Sequence, residues 1–325
     1  MKFRTEIFPK ESDYLMDYKD TILFIGSCFS VNIHNKLHQL KFNTVSNPFG
    51  IVYNPISLSK QLNRILNSKH YTKSDLYLFN EKWLSFDHHG EFSSSNSEEC
   101  LNQINARLDQ GLKQLKTAKF LFMTLGSAWI YSKKSDGKTV SNCHKIPAKE
   151  FTKELANTSN IVQELSNVIE RIATVNPEIQ IIFSISPVRH LSDGHFENQL
   201  SKGRLFDTIY QLKNQFENVH YFQAYELIMD DLRDYRFYNT DLVHPSNEAI
   251  EYIWEKFKST YINTSSLSTI TKVEKIIAAS QHRPFNPQSD AHQKFITKTI
   301  RQIEKLESDV PGNFLKEIDS LTSNE

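Results

Sequence analysis

The chain has 325 residues, more than one small core needs and enough for one large α/β domain with an appendage. Lys+Arg and Asp+Glu are both 38, so no global charge draws the chain to nucleic acid or to an anionic membrane. Hydrophobic residues at 39% and aromatics at 12% support a packed core and argue against disorder.

The three cysteines, Cys28, Cys100 and Cys143, stand far apart with no CxxC pair, which argues against a zinc ribbon or a disulfide framework. His34, His38, His70, His88 and His89 lack ligand spacing, so no metal and no other cofactor is expected. The first 20 residues hold no apolar stretch of signal-peptide length, and no run approaches the roughly 20 apolar residues that span a bilayer. The expectation is a soluble, cytoplasmic protein without membrane or nucleic-acid partners.

In chain order, an apolar run at 21–25 reads as a buried strand, followed by the turn GSCFS and a helix at 30–40. Two Asn-Pro pairs and a glycine in 46–55 mark ordered turns before a helix at 55–66. The polar, aromatic stretch 71–97 has room for a short hairpin. Helical spacing over 98–116 leads to a strand at 120–125, and helical spacing over 151–175 leads to a strand at 179–185. A helix at 199–216, a strand at 219–222 and a helix at 247–257 follow. The Ser/Thr-rich segment 263–271 reads as a boundary between a domain at 1–262 and a helical extension at 263–325. In that extension, helices at 272–280 and 290–307 flank the loop HRPFNP (282–287), and the tail after Asp309 is free to fray. Strands alternating with helices predict parallel pairing in a covered sheet, with ligands beyond the carboxyl ends of the strands.

Those ends hold the chemistry. A strand that turns through Gly26 into a helix lifts Ser27 and Cys28 above the sheet, at a helix N-terminus with free N–H groups. A hydroxyl or thiol placed there is positioned to attack a carbonyl. Near the end of the domain, Asp241 and His244 have the spacing of an orienting carboxylate and a base. Alone, such a pair is most often two surface polar residues, and Ser246 accounts for part of the motif as a helix cap. Arg189 and His190, after the 179–185 strand, suit an anionic substrate group. Trp129 and Tyr131 suit either a sugar-stacking wall or ordinary packing.

The two halves in this order resemble the SGNH-hydrolase superfamily of esterases, lipases and acetyltransferases, where a Gly-Asp-Ser block ends the first strand and Asp-x-x-His closes the domain. Within it the chain is most similar to the GSCFA-domain family, on Gly26-Ser27-Cys28-Phe29-Ser30, NPFGIVYNP (47–55), FMTLGSAWIY (122–131), SISPVRH (184–190), DDLRDYRFYNTDLVHPS (230–246) and HRPFNP. The resemblance implies a three-layer α/β/α sandwich with a mainly parallel central sheet, SGNH- or flavodoxin-like, plus the C-terminal helical appendage. It also implies an acyl-enzyme mechanism on an ester or thioester, with a small-molecule or carbohydrate ester as substrate. Register places Cys28 at the nucleophile position; Ser27 is the competing choice. Gly50, Gly126 and Ser127 correspond to oxyanion blocks, but Ala128 stands where the superfamily has an Asn donor, which leaves Ser127, Asn54 or Asn47 to replace it. That missing donor supports a rival reading, an inactive binding module for a carbohydrate or acylated ligand. In a third reading, residues 282–325 form a docking or dimerisation element. The oligomeric state is not legible.

Overall fold

The structure is a computed structural model that describes residues 4–282 and 284–322; the first three residues, Arg283 of the HRPFNP segment and the last three lie outside the described set. The chain runs β1 (Thr21–Gly26), α1 (Cys28–Gln39), β2 (Asn43–Ser46), α2 (Pro55–Leu66), a hairpin of β3 (Tyr77–Phe79) and β4 (Lys82–Leu84), α3 (Ser97–Thr117) and β5 (Ala118–Leu125). Next come β6 (Trp129–Lys133), β7 (Thr139–Val140), β8 (Phe151–Leu155), α4 (Thr158–Val175), β9 (Gln180–Ile185), α5 (His195–Gln215) and β10 (Val219–Tyr221). A short α6 (Ala224–Glu226) continues as a π-turn (Leu227–Asp231) before α7 (Asn247–Tyr261), α8 (Thr264–Ser280), α9 (Asp290–Leu306) and α10 (Leu315–Thr322).

The central sheet has the order β10-β9-β5-β1-β2, and every pairing in it is parallel. Counted along the sheet strands alone this is 2-1-3-4-5, the flavodoxin-like order, whose switch point lies between the first and third strands, here β1 and β5. Strand alternation divides the core in two. Ile22, Phe24, Phe120 and Phe122 face α1 and α7. Leu23, Ile25, Leu121 and Met123 face α2, α3, α4 and α5. The result is the expected three-layer sandwich.

Three readings are corrected. The helix expected over 151–175 begins only at Thr158, capped by Asn157, because residues 151–155 form β8, paired antiparallel with β6 in a small β7-β6-β8 sheet. Phe151 and Leu155 sit four apart, a spacing that imitates a helix face. The helix expected over 272–280 starts at Thr264, capped by Asn263, so the Ser/Thr-rich stretch forms the first half of α8. Within the tail Leu315–Thr322 form α10, and Phe314 and Leu321 join Ile270, Val273, Ile296 and Ile303 in the same apolar cluster as Phe24 and Phe122. No described helix is long and apolar enough to cross a membrane.

Candidate active site

Gly26 ends β1 at φ +139°, and a Cβ there would lie 2.2 Å from the Thr124 carbonyl oxygen, so only glycine fits. The turn is clamped from both sides. Gly26 N–H donates to Asn47 Oδ1 at 2.8 Å, the Gly26 carbonyl accepts from Val52 N–H at 3.0 Å, and Ser27 N–H donates to the Thr124 carbonyl at 3.0 Å. Helix α1 starts one residue later, two residues earlier than the sequence pattern suggested, with Ser27 as N-cap and Cys28 as first helical residue.

This geometry separates the two nucleophile candidates. Ser27 is 1% exposed, its Oγ makes no hydrogen bond among the described residues, and it does not cap the helix. Ser27 therefore points inward, and its hydroxyl has neither access nor a base. The Cys28 thiol is only partly buried. Burial pushes it above the usual thiol range, while the N–H groups of Phe29 and of Cys28 itself, and the Lys202 charge, pull it back.

Lys202 is the residue that sequence reasoning missed. Its side chain is 2% exposed, and Nζ donates to the carbonyls of Gly126 and Ser186, both at 2.7 Å. Those carbonyls follow the ends of β5 and β9. Burial first, and then repulsion from Arg189, pull Lys202 down to about 7, against the opposing influence of Cys28. The same helix face carries Asn198, whose Oδ1 accepts from His190 N–H at 3.1 Å, and Ser201, whose Oγ accepts from Ala128 N–H at 2.7 Å. The available signal was periodicity: Asn198, Ser201 and Lys202 extend the stripe of Leu205, Ile209 and Leu212, so polar side chains occupy inward positions of α5.

The expected oxyanion donors are corrected in turn. Gly50, at φ +80° in the turn after β2, spends its N–H on the Asn47 carbonyl at 2.8 Å. The N–H groups of Gly126 and Ser127 both go to the Tyr53 carbonyl, at 2.8 and 3.0 Å. Ser127 Oγ accepts from Trp129 N–H at 3.1 Å. These residues brace the site rather than present donors to it. Asn47 is likewise turned inward, with a fully buried Nδ2. Asn54 is different. Its Oδ1 caps α2 by accepting from Ser57 N–H at 2.7 Å, which fixes the amide orientation, and its Nδ2 makes no hydrogen bond among the described residues. The adjacent Tyr53 feels the Cys28 charge and meets the His190 ring edge-on at 5.4 Å.

The Asp241–His244 pair forms as expected, on an exposed loop closed by hydrogen bonds from Asn239 N–H to the His244 carbonyl (2.8 Å) and from Ser246 N–H to the Phe237 carbonyl (2.8 Å). His244 Nδ1 stands 2.7 Å from Asp241 Oδ2, and Asp241 Oδ1 accepts from the N–H groups of Val243 and His244, each at 2.9 Å. The His244 and Val243 backbone bonds, and then the imidazole, hold the carboxyl down to about 2. Leu242 between them takes φ +58°, the left-handed region that bulky side chains seldom adopt. No hydrogen bond joins His244 to Cys28 or Ser27 among the described residues. His190 is held below the usual imidazole range by burial first, then by the Lys202 charge, with His244 among the lesser influences.

A cavity of about 460 Å³ lies against this loop, walled by Asp241, Arg189, Met229, Arg233, Tyr235 and Tyr238 among others. Arg189 meets Met229 Sδ at 3.3 Å, keeps a buried, unpartnered Nε, and pairs with no carboxylate among the described residues. The Lys153 ammonium lies over the Trp129 and Tyr131 rings, at 4.8 and 5.5 Å from their centroids. Of the isolated histidines, His88 is stacked on Phe49 and bonded to Ser85 Oγ, and burial holds it down to about 3, a neutral core residue. No cluster of three or more His, Cys, Asp or Glu suited to a metal occurs among the described residues.

Comparison with known proteins gives no match among curated sequences. Among solved structures, the chain is similar to an acetyl xylan esterase (Est2A) from the rumen bacterium Butyrivibrio proteoclasticus, at 12% identity and a TM-score of 0.36. That alignment covers 75% of this chain and 63% of the esterase, so the chain spans less than two thirds of the esterase's length. Likeness at that level bears on neither fold nor activity. The model of the GSCFA family matches residues 21–257, and that of the GSCFA domain protein C-terminal domain matches residues 273–324. With both models spanning most of its length, the chain belongs to the GSCFA family.

Proposed function

We propose that the protein is an SGNH-like hydrolase or acyltransferase acting on an ester or thioester through an acyl-enzyme on Cys28. The observation that carries this reading is the placement of a partly exposed thiol as the first residue of α1, at the switch point of a parallel sheet. The thiol attacks the substrate carbonyl, and the N–H groups at the start of α1, with Asn54 Nδ2, receive the oxyanion. Asp241 orients His244, which serves as base and acid for the leaving group and for the incoming acceptor. Arg189, at the cavity and without a carboxylate partner among the described residues, holds an anionic part of a small-molecule or carbohydrate ester.

The test is turnover of p-nitrophenyl acetate and of acetyl and aminoacyl thioesters. Wild type is expected to turn over at least one of these. Cys28→Ala should fall to background and His244→Ala by about 10²–10⁴-fold. Equal rates for wild type and Cys28→Ala would overturn the reading. A second reading, an inactive SGNH-fold module for a carbohydrate or acylated ligand, is favoured by the absence of a described bond between His244 and Cys28. It predicts ligand binding with no turnover of any donor.

A further inference from the structure

We propose that the substrate carries a phosphomonoester group, held by Arg189 and Arg233 in the cavity beside Asp241, with an adjoining ring against Tyr235. That the bound molecule is the substrate rests on the acyl-transfer reading; the phosphate site itself does not.

The charges of the cavity carry the inference. At about 460 Å³ it falls within the roughly 300–1,000 Å³ of small-molecule sites. Arg189, Arg233, Asp234 and Asp241 all line it. Both carboxylates are already committed. Asp234 accepts from the Arg236 backbone N–H at 2.9 Å and pairs with the Arg236 guanidinium at 3.0 Å. Asp241 is taken up by the N–H groups of Val243 and His244 and by the imidazole. Neither Arg189 nor Arg233 pairs with a carboxylate among the described residues. Arg189 also keeps its Nε buried without an acceptor, and its one described side-chain hydrogen bond runs to Met229 Sδ, a weak acceptor. His195, also in the wall, adds no negative charge in either protonation state. Two positive charges in one cavity are therefore left without an anion.

The number of those charges selects the ligand. One guanidinium satisfies a carboxylate in a two-pronged pair. Two call for more charge and more acceptors, and a phosphomonoester brings a charge of about −1.5 to −2 with three terminal oxygens. The rim adds an apolar requirement. Tyr235 meets the Tyr238 ring at 5.9 Å yet stays 70% exposed, an open aromatic surface for a ring of the ligand. Leu242 also lines the cavity, at φ +58° and 57% exposed. A bulky residue kept in that conformation without burial is the kind of strain that collects at ligand sites. Arg233, Tyr235 and Leu242 belong to the same segment as Asp241 and His244, so a phosphate held here seats the substrate beside the acid-base pair.

The test is calorimetric titration of the full chain with phenyl phosphate, inorganic phosphate and benzoate, at about pH 7.5, where a phosphomonoester is mostly dianionic. Phenyl phosphate is expected to bind more tightly than either of the others. Arg233 is exposed, so Arg233→Gln leaves the packing alone, and it should weaken phenyl phosphate at least about tenfold. Tyr235→Ala should weaken phenyl phosphate about three- to tenfold and leave inorganic phosphate unchanged, which separates a phosphate that is part of a larger molecule from free phosphate. Arg301→Gln, on the basic face of α9 that also carries Lys294, Lys298 and Lys305, should change nothing. The proposal is overturned by no phenyl phosphate binding up to about 10 mM, by benzoate binding as tightly, by unchanged affinity in folded Arg233→Gln, or by a loss in Arg301→Gln instead. None of these titrations requires turnover. A chain that turns over neutral donors but binds phenyl phosphate no better than benzoate loses this proposal and keeps the acyl-transfer reading. A chain that binds phenyl phosphate through Arg233 but turns over no donor loses that reading and keeps the phosphate site.

Discussion

Asp241 and His244 are bound to each other twice: the carboxylate accepts from the His244 backbone N–H at 2.9 Å and faces its Nδ1 at 2.7 Å. An ionised carboxylate only accepts, so Nδ1 carries the proton and Nε2 is left free to act as a base. The Asp241 carboxyl is depressed to about 2 from an ordinary 3.8. Its hold on the loop is therefore complete above about pH 4 and is lost as pH falls through about 2. A carboxyl NMR titration should find that midpoint near 2 in wild type. In His244→Ala it should rise only part of the way, because the two backbone bonds remain. A midpoint of 3.8 in wild type would contradict the loop geometry. Asp241→Asn should lower acyl turnover by about 10²–10⁴-fold by freeing the imidazole tautomer.

Asn54 offers a way to separate a structural from a catalytic role. Its Oδ1 caps α2 and its Nδ2 makes no hydrogen bond among the described residues. Asn54→Asp retains a good cap and removes the donor. Stability in urea should stay within about 0.5 kcal/mol of wild type. Turnover should fall about 10²–10³-fold, the usual cost of one oxyanion donor. Unchanged turnover in a well-folded Asn54→Asp would remove Asn54 from the site.

The Gly26 turn is a packing requirement as much as a backbone one. In Gly26→Ala the new methyl would meet the Thr124 carbonyl oxygen at 2.2 Å, at a φ that L residues avoid. The expected cost is at least about 2 kcal/mol of stability, read as a lower urea midpoint with unchanged slope. An unshifted midpoint would show that β1 and β5 are not in this close contact.

Much of the frame could be read in advance, and what could not has local causes. Helix α2 was legible to the residue, because Asn54 caps it, Pro55 opens it and Leu58, Leu62 and Ile65 recur on one face. Strand β8 was hidden because Phe151 and Leu155 match both helix and strand periods over so short a run. Asp241–His244 was found because its chemistry is local to one loop. Lys202 was not, because its partners, Gly126 and Ser186, are 76 and 16 residues away. The spent N–H groups of Gly50, Gly126 and Ser127 were equally out of reach, since only the assembled strand ends show where each donor goes.

The C-terminal helices bear on the docking reading. Ile270, Val273, Ile296, Ile303 and Phe314 pack into the same cluster as Phe24, Phe122 and Phe257. A chain ending at Ile262 should therefore lose cooperative unfolding or precipitate, as apolar residues beside α1 and α7 are opened to water. A soluble truncation with the wild-type circular dichroism spectrum and thermal midpoint would contradict this packing.

The most direct test of the central claim is intact-protein mass spectrometry with acetyl and aminoacyl thioester donors, followed by peptide mapping. The protein should gain the mass of one acyl group, on the peptide containing Cys28. The adduct should be released by neutral hydroxylamine as a thioester is, persist in Ser27→Ala and be absent from Cys28→Ala. An adduct mapped to Ser27, or one that survives in Cys28→Ala, would contradict it.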